Sequence, residues 1–528
     1  MSLKKTMLAV AAVGAVSAAT AVPAMALENE FHGMFRLRAF VSNFDDSGSG
    51  AVAIGKQPGS VVINSVQYPG GRPYNNPPTY TYVEQRARLM YIAKANDDLR
   101  LVTHFEFDSR WGDNSYNSNA INVNATGGTA LSSATRNNGG GIGADQTNLE
   151  TKNIYLDFKI PSTPVRVKAG IQGWTDNYKG IIFNNDAAGV TAVAPVGPVT
   201  IKGAYFRFDD GTGLGTAATT TNGYFGADNA GTPLLQGGGA TTATFGATGN
   251  AGNNQTVGFN TRDFYTIGAQ MAITKQFSIG ADYHLLYSDI FRKVSEKTMV
   301  QTVGINSEAK FGPATVNGFF LYQFGRLGLT PPNAAINGHQ SLSAWSANLA
   351  GKMPVGPGTL KLTALALSGD KNTSTTGGMR TDFQTIMERG TTTSGHTFYE
   401  ANSQILLRNI YATAQTDRAV VFDLNNNGRG IVTAFAGYDL PIGKFFANTN
   451  VGIGCVYSDN PNSNNGGIGA QHGNIMGYEF NTELGYKLYD NMTASFAAAY
   501  MVLGNFYDTA AGKPDNPYST KIMLNYTF

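Results

Sequence analysis

The chain has 528 residues, is 42% apolar but only 14% charged, and carries a formal net charge of +2. That balance lacks the basic excess that nucleic-acid binding needs, and no apolar run of eighteen residues follows the N-terminal segment, which excludes transmembrane helices. Cys455 is the single cysteine, so an internal disulfide and a C-x-x-C-H haem attachment are excluded too.

At the N-terminus, Lys4 and Lys5 precede an apolar stretch over 7–22 and then Ala24-Met25-Ala26, a small-x-small cleavage signal. The three parts predict a secretory signal peptide over 1–26 and a single domain over 27–528. A helical anchor is the alternative, but the apolar part is short for a ~20-residue span and no charged stop-transfer flank follows. Without Lys4 and Lys5 the net charge falls to about 0.

Eighteen segments then show period-two alternation or strand composition. They lie near 31–42, 80–94, 99–110, 150–160, 164–173, 188–195, 199–208, 262–274, 277–289, 300–312, 314–325, 341–353, 359–368, 430–440, 445–458, 474–488, 492–504 and 518–528. Most reach the ~9–11 residues that a tilted strand needs to cross a bilayer. Short turns at 95–98, 161–163, 195–198, 275–276, 312–313, 354–358, 441–444 and 489–491 alternate with long Gly/Asn/Thr/Ser-rich connections, the largest being 43–79, 111–149, 209–261 and 369–429. With no apolar helix to span a membrane, only a closed barrel satisfies the backbone in lipid. The expected fold is therefore all-β, a transmembrane antiparallel up-and-down barrel of about 18 strands (16 as the next count), with short periplasmic turns and long external loops. Fixed-period repeats of a β-helix or propeller are missing.

The faces of the strands sort accordingly. Phe31, Phe35, Leu37 and Val41 fall opposite His32, Arg36, Arg38 and Ser42; Val83, Ala87, Leu89 and Tyr91 fall opposite Glu84, Arg86, Arg88 and Lys94. A charge on the lipid side costs ~2–4 kcal/mol at mid-depth, so the charged faces belong inside. The candidate pore lining is Arg36, Arg38, Glu84, Arg86, Arg88, Arg100, Glu106, Asp108, Asp157, Arg166 and Lys168. Either the acids simply pair with the arginines to hold the wall, or an opposed acidic row sets up a transverse field that orients solutes. The connection 173–187 is short for an external loop and carries Trp174, Asp176, Asn177, Tyr178, Lys179 and Asp186. Barrels of ~16–18 strands are wide unless filled, so this segment is the expected constriction, with Asp176 and Asp186 facing the basic wall and a mild anion preference as the result.

The last segment reads YSTKIMLNYTF and alternates throughout, with Tyr518, Thr520, Ile522, Leu524, Tyr526 and Phe528 on one face. A closing strand that ends in Phe528, with Tyr526 two residues before it, resembles the targeting signal of bacterial outer-membrane barrels. Lys521 matches its polar position, and Met523 stands where that signal usually has Gly. The run YKLYDNMTASFAAAYMVLGNFYD over 486–508 resembles the penultimate hairpin of porins from cytochrome-rich bacteria. On these features the chain is similar to Gram-negative outer-membrane porins, in particular OmpJ-like porins of metal-respiring delta-proteobacteria. The resemblance implies passive diffusion of small hydrophilic solutes or ions, without a cofactor and without a reaction.

Other chemistry is thin. Asp423, Asn425, Asn427 and Gly428 match the first half of a calcium loop, but Ala434 stands where the bidentate Glu belongs, so an Asn-rich turn into the next strand is the plainer reading. His339 and Ser341 have the H-x-S spacing of outer-membrane phospholipases without an orienting third group. No H-E-x-x-H, G-x-S-x-G or P-loop occurs. Two rival readings remain beside the porin: a sheath for a periplasmic multihaem cytochrome, and a non-conducting adhesion barrel. A homotrimer is compatible with the outward apolar face.

Overall fold

Alternation at period two places every second side chain on the same side of a strand, and hydrogen bonding to both neighbours satisfies the backbone. In the computed structural model these strands close into one barrel. The structure describes residues 28–46, 52–54, 61–63, 66–68, 79–112, 149–209, 261–288, 297–328, 339–370, 379–386, 395–400, 402–408, 419–421, 423–426, 428–458, 473–507 and 516–528. The leader segment 1–26 and Asn427 lie outside them.

The barrel strands are β1 (Glu28–Ser42), β2 (Tyr80–Asn96), β3 (Leu99–Arg110), β4 (Glu150–Lys159), β5 (Arg166–Thr175), β6 (Asn184–Val196), β7 (Val199–Asp209), β8 (Arg262–Ala272), β9 (Phe277–Ser288), β10 (Thr298–Phe311), β11 (Ala314–Gly328), β12 (His339–Val355), β13 (Gly358–Leu367), β14 (Ile431–Ile442), β15 (Phe445–Cys455), β16 (Ile475–Tyr489), β17 (Met492–Leu503) and β18 (Tyr518–Thr527). Each pairs antiparallel with its sequence neighbour, and β18 closes on β1 with Leu37 opposite Leu524 and Arg38 opposite Met523. The chain is an eighteen-stranded antiparallel barrel. The expected segments appear one for one and in order, and the short turns fall where they were expected.

At the seam, the amide of Gly33 donates to the Phe528 carbonyl (2.9 Å) and the Phe528 amide donates back (3.0 Å). A side chain at residue 33 would meet the Phe528 ring at 2.4 Å and the Arg88 carbonyl at 2.5 Å, so the close approach needs glycine. Tyr526 stacks on Phe528 at 5.6 Å.

Outward positions carry an apolar belt, among them Ile267, Ile305, Leu349, Leu362, Phe480 and Ile522. Aromatic rings flank it on the short-turn side, where Phe445 packs on Tyr486 and Phe31 on Tyr91. Apolar height bounded by aromatic girdles is what a bilayer selects.

Two features differ from the sequence reading. The first external loop contains two short ribbons, Phe44–Asp46 with Val52–Ile54 and Val61–Ile63 with Val66–Tyr68. Strand β6 begins at Asn184 rather than near 188, because backbone pairing continues through Asp186 opposite Gly173 to Asn184 opposite Thr175. The sequence Asn-Asn-Asp-Ala has no apolar alternation to reveal that pairing.

Candidate functional site

One side of the lumen, from β1 to β6, is a ladder of ion pairs. Arg38 pairs with Glu84 across β1 and β2. Arg86 holds Asp108, with Nε donating to Oδ1 at 2.6 Å, and lies 3.1 Å from Glu106; Arg88 donates to Glu106. Asp157, whose side chain is fully buried, accepts from Arg100 (2.8 Å) and from Arg166 (2.6 Å). Lys152 on β4 pairs with Asp186. Lys168 lies 5.3 Å from the Tyr155 ring centroid, and Arg36 is buried on β1. Each acid expected on the wall is thus engaged by a cation of a neighbouring strand. Such pairs fix side-chain positions and leave Arg88, Arg100, Arg166 and Lys152 partly exposed.

The connection between β5 and β6 shrinks to residues 176–183. This corrects two expected loop positions: Trp174 stands on β5 and Asp186 on β6. The eight residues turn into the barrel and reach the wall formed by β9–β11. Tyr178 is fully buried; its hydroxyl donates to Asp282 on β9 (2.9 Å), and its ring meets His284 and Phe319 edge-on. Gly304 on β10 makes room, since a Cβ there would lie 2.4 Å from the Tyr178 ring. Asn177 donates to Asp282 (2.9 Å), and Lys179 donates to Asn317 on β11 (2.7 Å). Ile181, Ile182 and Phe183 pack into a core with Trp174, Phe206 and Phe264. Lys179 adopts a positive φ of 63°, unfavourable for a residue that carries a Cβ and held by these contacts. Burial lowers the pKa of its ammonium.

Asp176 organises the turn instead of facing the wall. Its carboxylate accepts the amides of Tyr178 (2.6 Å), Gly180 (2.9 Å), Ile182 (2.7 Å) and Phe183 (2.8 Å). Burial pushes its pKa up to about 6, outweighing those four amides, which pull it down. A carboxyl raised in the folded state favours folding at low pH, and that contribution is lost as pH rises through about 6. Lowering the pH from 7 to 5 should therefore add about 1 kcal/mol of stability through this group. Urea titrations of the refolded barrel at the two pH values check this: the increment should disappear in Asp176→Asn, and an equal increment in that variant would remove the assignment.

The long connection between β13 and β14 was expected to be external. Its described parts instead fold into the lumen, where Phe383, Phe398, Ile405, Leu406, Leu407, Val421 and Leu424 are buried in the same core as residues 181–183. Glu479 on β16 anchors it, accepting from Ser403 Oγ (2.6 Å), the amides of Gln404 (2.6 Å) and Leu406 (2.8 Å), and Asn481 (2.7 Å). Arg380 forks onto Asp382 at 2.8 Å on both arms and lies 3.1 Å from Asp370. The two infolded segments join: Thr397 donates its amide to Gly180 (2.9 Å), and Asn184 donates to Gly395 (2.9 Å). The apolar clusters 383–386, 405–407 and 419–421 were the available signal, but they carry no strand period.

The calcium reading does not fit the geometry. Asn425 turns its amide nitrogen to Asp382 (2.9 Å) and the Phe383 carbonyl (2.7 Å), and Asp423 accepts from Thr385 (2.6 Å). These residues form the Asn-rich turn into β14, and among the described residues no group of three or more acidic, His or Cys side chains is placed to hold a metal.

No family model matches the chain, and no curated protein does. Solved structures resemble it at low identity. OccK5 (OpdH) of Pseudomonas aeruginosa is 12% identical over 94% of this chain and 98% of that one, with a TM-score of 0.47. OccAB4 of Acinetobacter baumannii is 10% identical over 95% and 98%, at 0.49. OccK2 (OpdF) of Pseudomonas aeruginosa, solved with glucuronate, is 10% identical over 95% and 98%, at 0.47. The likeness is one of barrel architecture.

Proposed function

We propose that the chain is a Gram-negative outer-membrane porin, exported by a cleaved signal peptide over 1–26, that passes small hydrophilic solutes or ions by diffusion. The observation that carries this reading is the asymmetric lumen: a charged, partly exposed wall on β1–β6 faces a plug made of residues 176–183 and the β13–β14 connection. Polar lining supports aqueous passage, and the plug narrows a barrel that would otherwise be wide. Tyr526 and Phe528 on the closing strand serve as the targeting signal. A sheathed cytochrome would need the space that the two infolded segments occupy.

Cations outnumber carboxylates along the wall, with Arg36, Arg38, Arg86, Arg88, Arg100, Lys152, Arg166 and Lys168 against Glu84, Glu106, Asp108, Glu150, Asp157 and Asp186. Because most are paired, the surplus field is weak, and a mild anion preference is expected. Planar-bilayer recordings test both points. Discrete conductance steps with a reversal potential on the anion side support the reading. Correctly folded barrels without conductance would favour the adhesion reading, and a clear cation preference would remove the anion assignment.

A further inference from the structure

Beneath the junction of the two infolded segments, towards the short-turn end of β12–β15, lies a cavity of about 400 Å³. Its lining includes Lys179, Lys352, Lys361, Tyr399, Glu400 and Asp439. Lys361 and Asp439 are closed on each other at 2.6 Å. Glu400 is held more loosely, as a long ion pair: its Oε1 stands 3.6 Å from the Lys179 ammonium and 4.0 Å from that of Lys352. Lys179 makes its short hydrogen bond to Asn317 (2.7 Å). The Lys352 side chain is 53% exposed, against 23% for Glu400. The Lys352 ammonium and the Glu400 carboxylate thus face the cavity as a loose pair, 4.0 Å apart.

That arrangement selects by charge geometry. A simple anion that reaches Lys352 also meets Glu400 and Asp439, and a simple cation that reaches Glu400 also meets three lysines. A molecule that carries both signs a few ångströms apart completes both interactions at once. The volume lies at the low end of the ~300–1,000 Å³ range of ligand pockets, so the ligand is small. We propose that this cavity binds a small zwitterion, a free α-amino acid or a dipeptide, with its carboxylate on Lys352 and its ammonium on Glu400.

As a stage in solute passage the site rests on the porin reading, whereas binding itself can be measured without conductance. Calorimetric titration of the full chain, folded in detergent, uses glycylglycine as the probe. N-acetylglycine (anion only) and glycinamide (cation only) serve as controls. Saturable binding of glycylglycine in the millimolar range is expected, at least tenfold tighter than either control. Lys352→Gln and Glu400→Gln should each weaken it at least tenfold. Lys352 is half exposed on β12 and meets the plug through the long 4.0 Å pair with Glu400, so its variant decides the matter even where Glu400→Gln disturbs the plug. Equal binding of N-acetylglycine, no saturable binding, or full binding by Lys352→Gln would overturn the proposal. A barrel that binds glycylglycine but does not conduct would remove the porin reading alone, and one that conducts without binding would remove this inference alone.

Discussion

Replacing residues 176–183 by Asn-Gly should raise the single-channel conductance several-fold. Thr175 and Asn184 already stand opposite each other as the last pair of β5 and β6, so a two-residue turn closes the hairpin without changing the register. The replacement removes Tyr178, Ile181, Ile182 and Phe183 from the lumen core, and with them the bridge to Asp282. It also removes the Gly180 carbonyl that receives Thr397, loosening the second infolded segment. An eighteen-stranded barrel emptied of part of its filling is wide, and conductance follows the cross-section. Bilayer recordings of the variant beside the wild type check this, with the folded state confirmed by heat-modifiable gel migration. Unchanged conductance in a folded variant would show that residues 176–183 do not limit the pore.

Asp157→Asn should show the second large effect, on stability and selectivity together. The carboxylate is fully buried and is shared by Arg100 and Arg166, whose side chains are 36% and 34% exposed. Breaking a buried pair by removing one partner costs ~3–5 kcal/mol. Because solvent reaches both guanidinium groups, about 2 kcal/mol is the expected loss here. The same substitution frees two cations at the lumen wall, and the reversal potential should move further to the anion side. Urea titration and salt-gradient recordings on one preparation test the pair of effects. A variant as stable as the wild type, with its selectivity unmoved, would mean that the ladder neither holds the wall nor sets its field.

The barrel plan was legible because lipid imposes a constraint that acts locally on every strand. Phe31, Phe35 and Leu37 alternate with Arg36 and Arg38 whatever the rest of the chain does, since a misplaced charge is costly on its own. Turn lengths are equally local, so the up-and-down order followed. The ends of the strands were less visible: Asn184–Asp186 pair through the backbone alone, and their side chains give no alternation. Trp174 and Asp186 were consequently assigned to a loop that is shorter than it looked.

The filling of the barrel was readable only at one point. The short connection at 173–187 marked the first infolded segment, because its length was out of line with its neighbours. The second segment escaped notice: Phe383, Phe398 and Ile405–Leu407 sit in a stretch rich in Gly, Thr and Asn, and their burial depends on partners far away in sequence. Glu479 gathers Ser403, Gln404 and Leu406 across more than seventy residues. Asp176, read as a charge for the wall, is consumed by four amides of its own turn. By itself, then, the sequence determined the strand number, the facing of side chains and the turn side, because each follows from period-two sterics and the price of charge in lipid. Only the tertiary structure decided which acids pair, what fills the lumen and where a loose charge pair faces a cavity, because those outcomes depend on contacts between segments that no local pattern encodes.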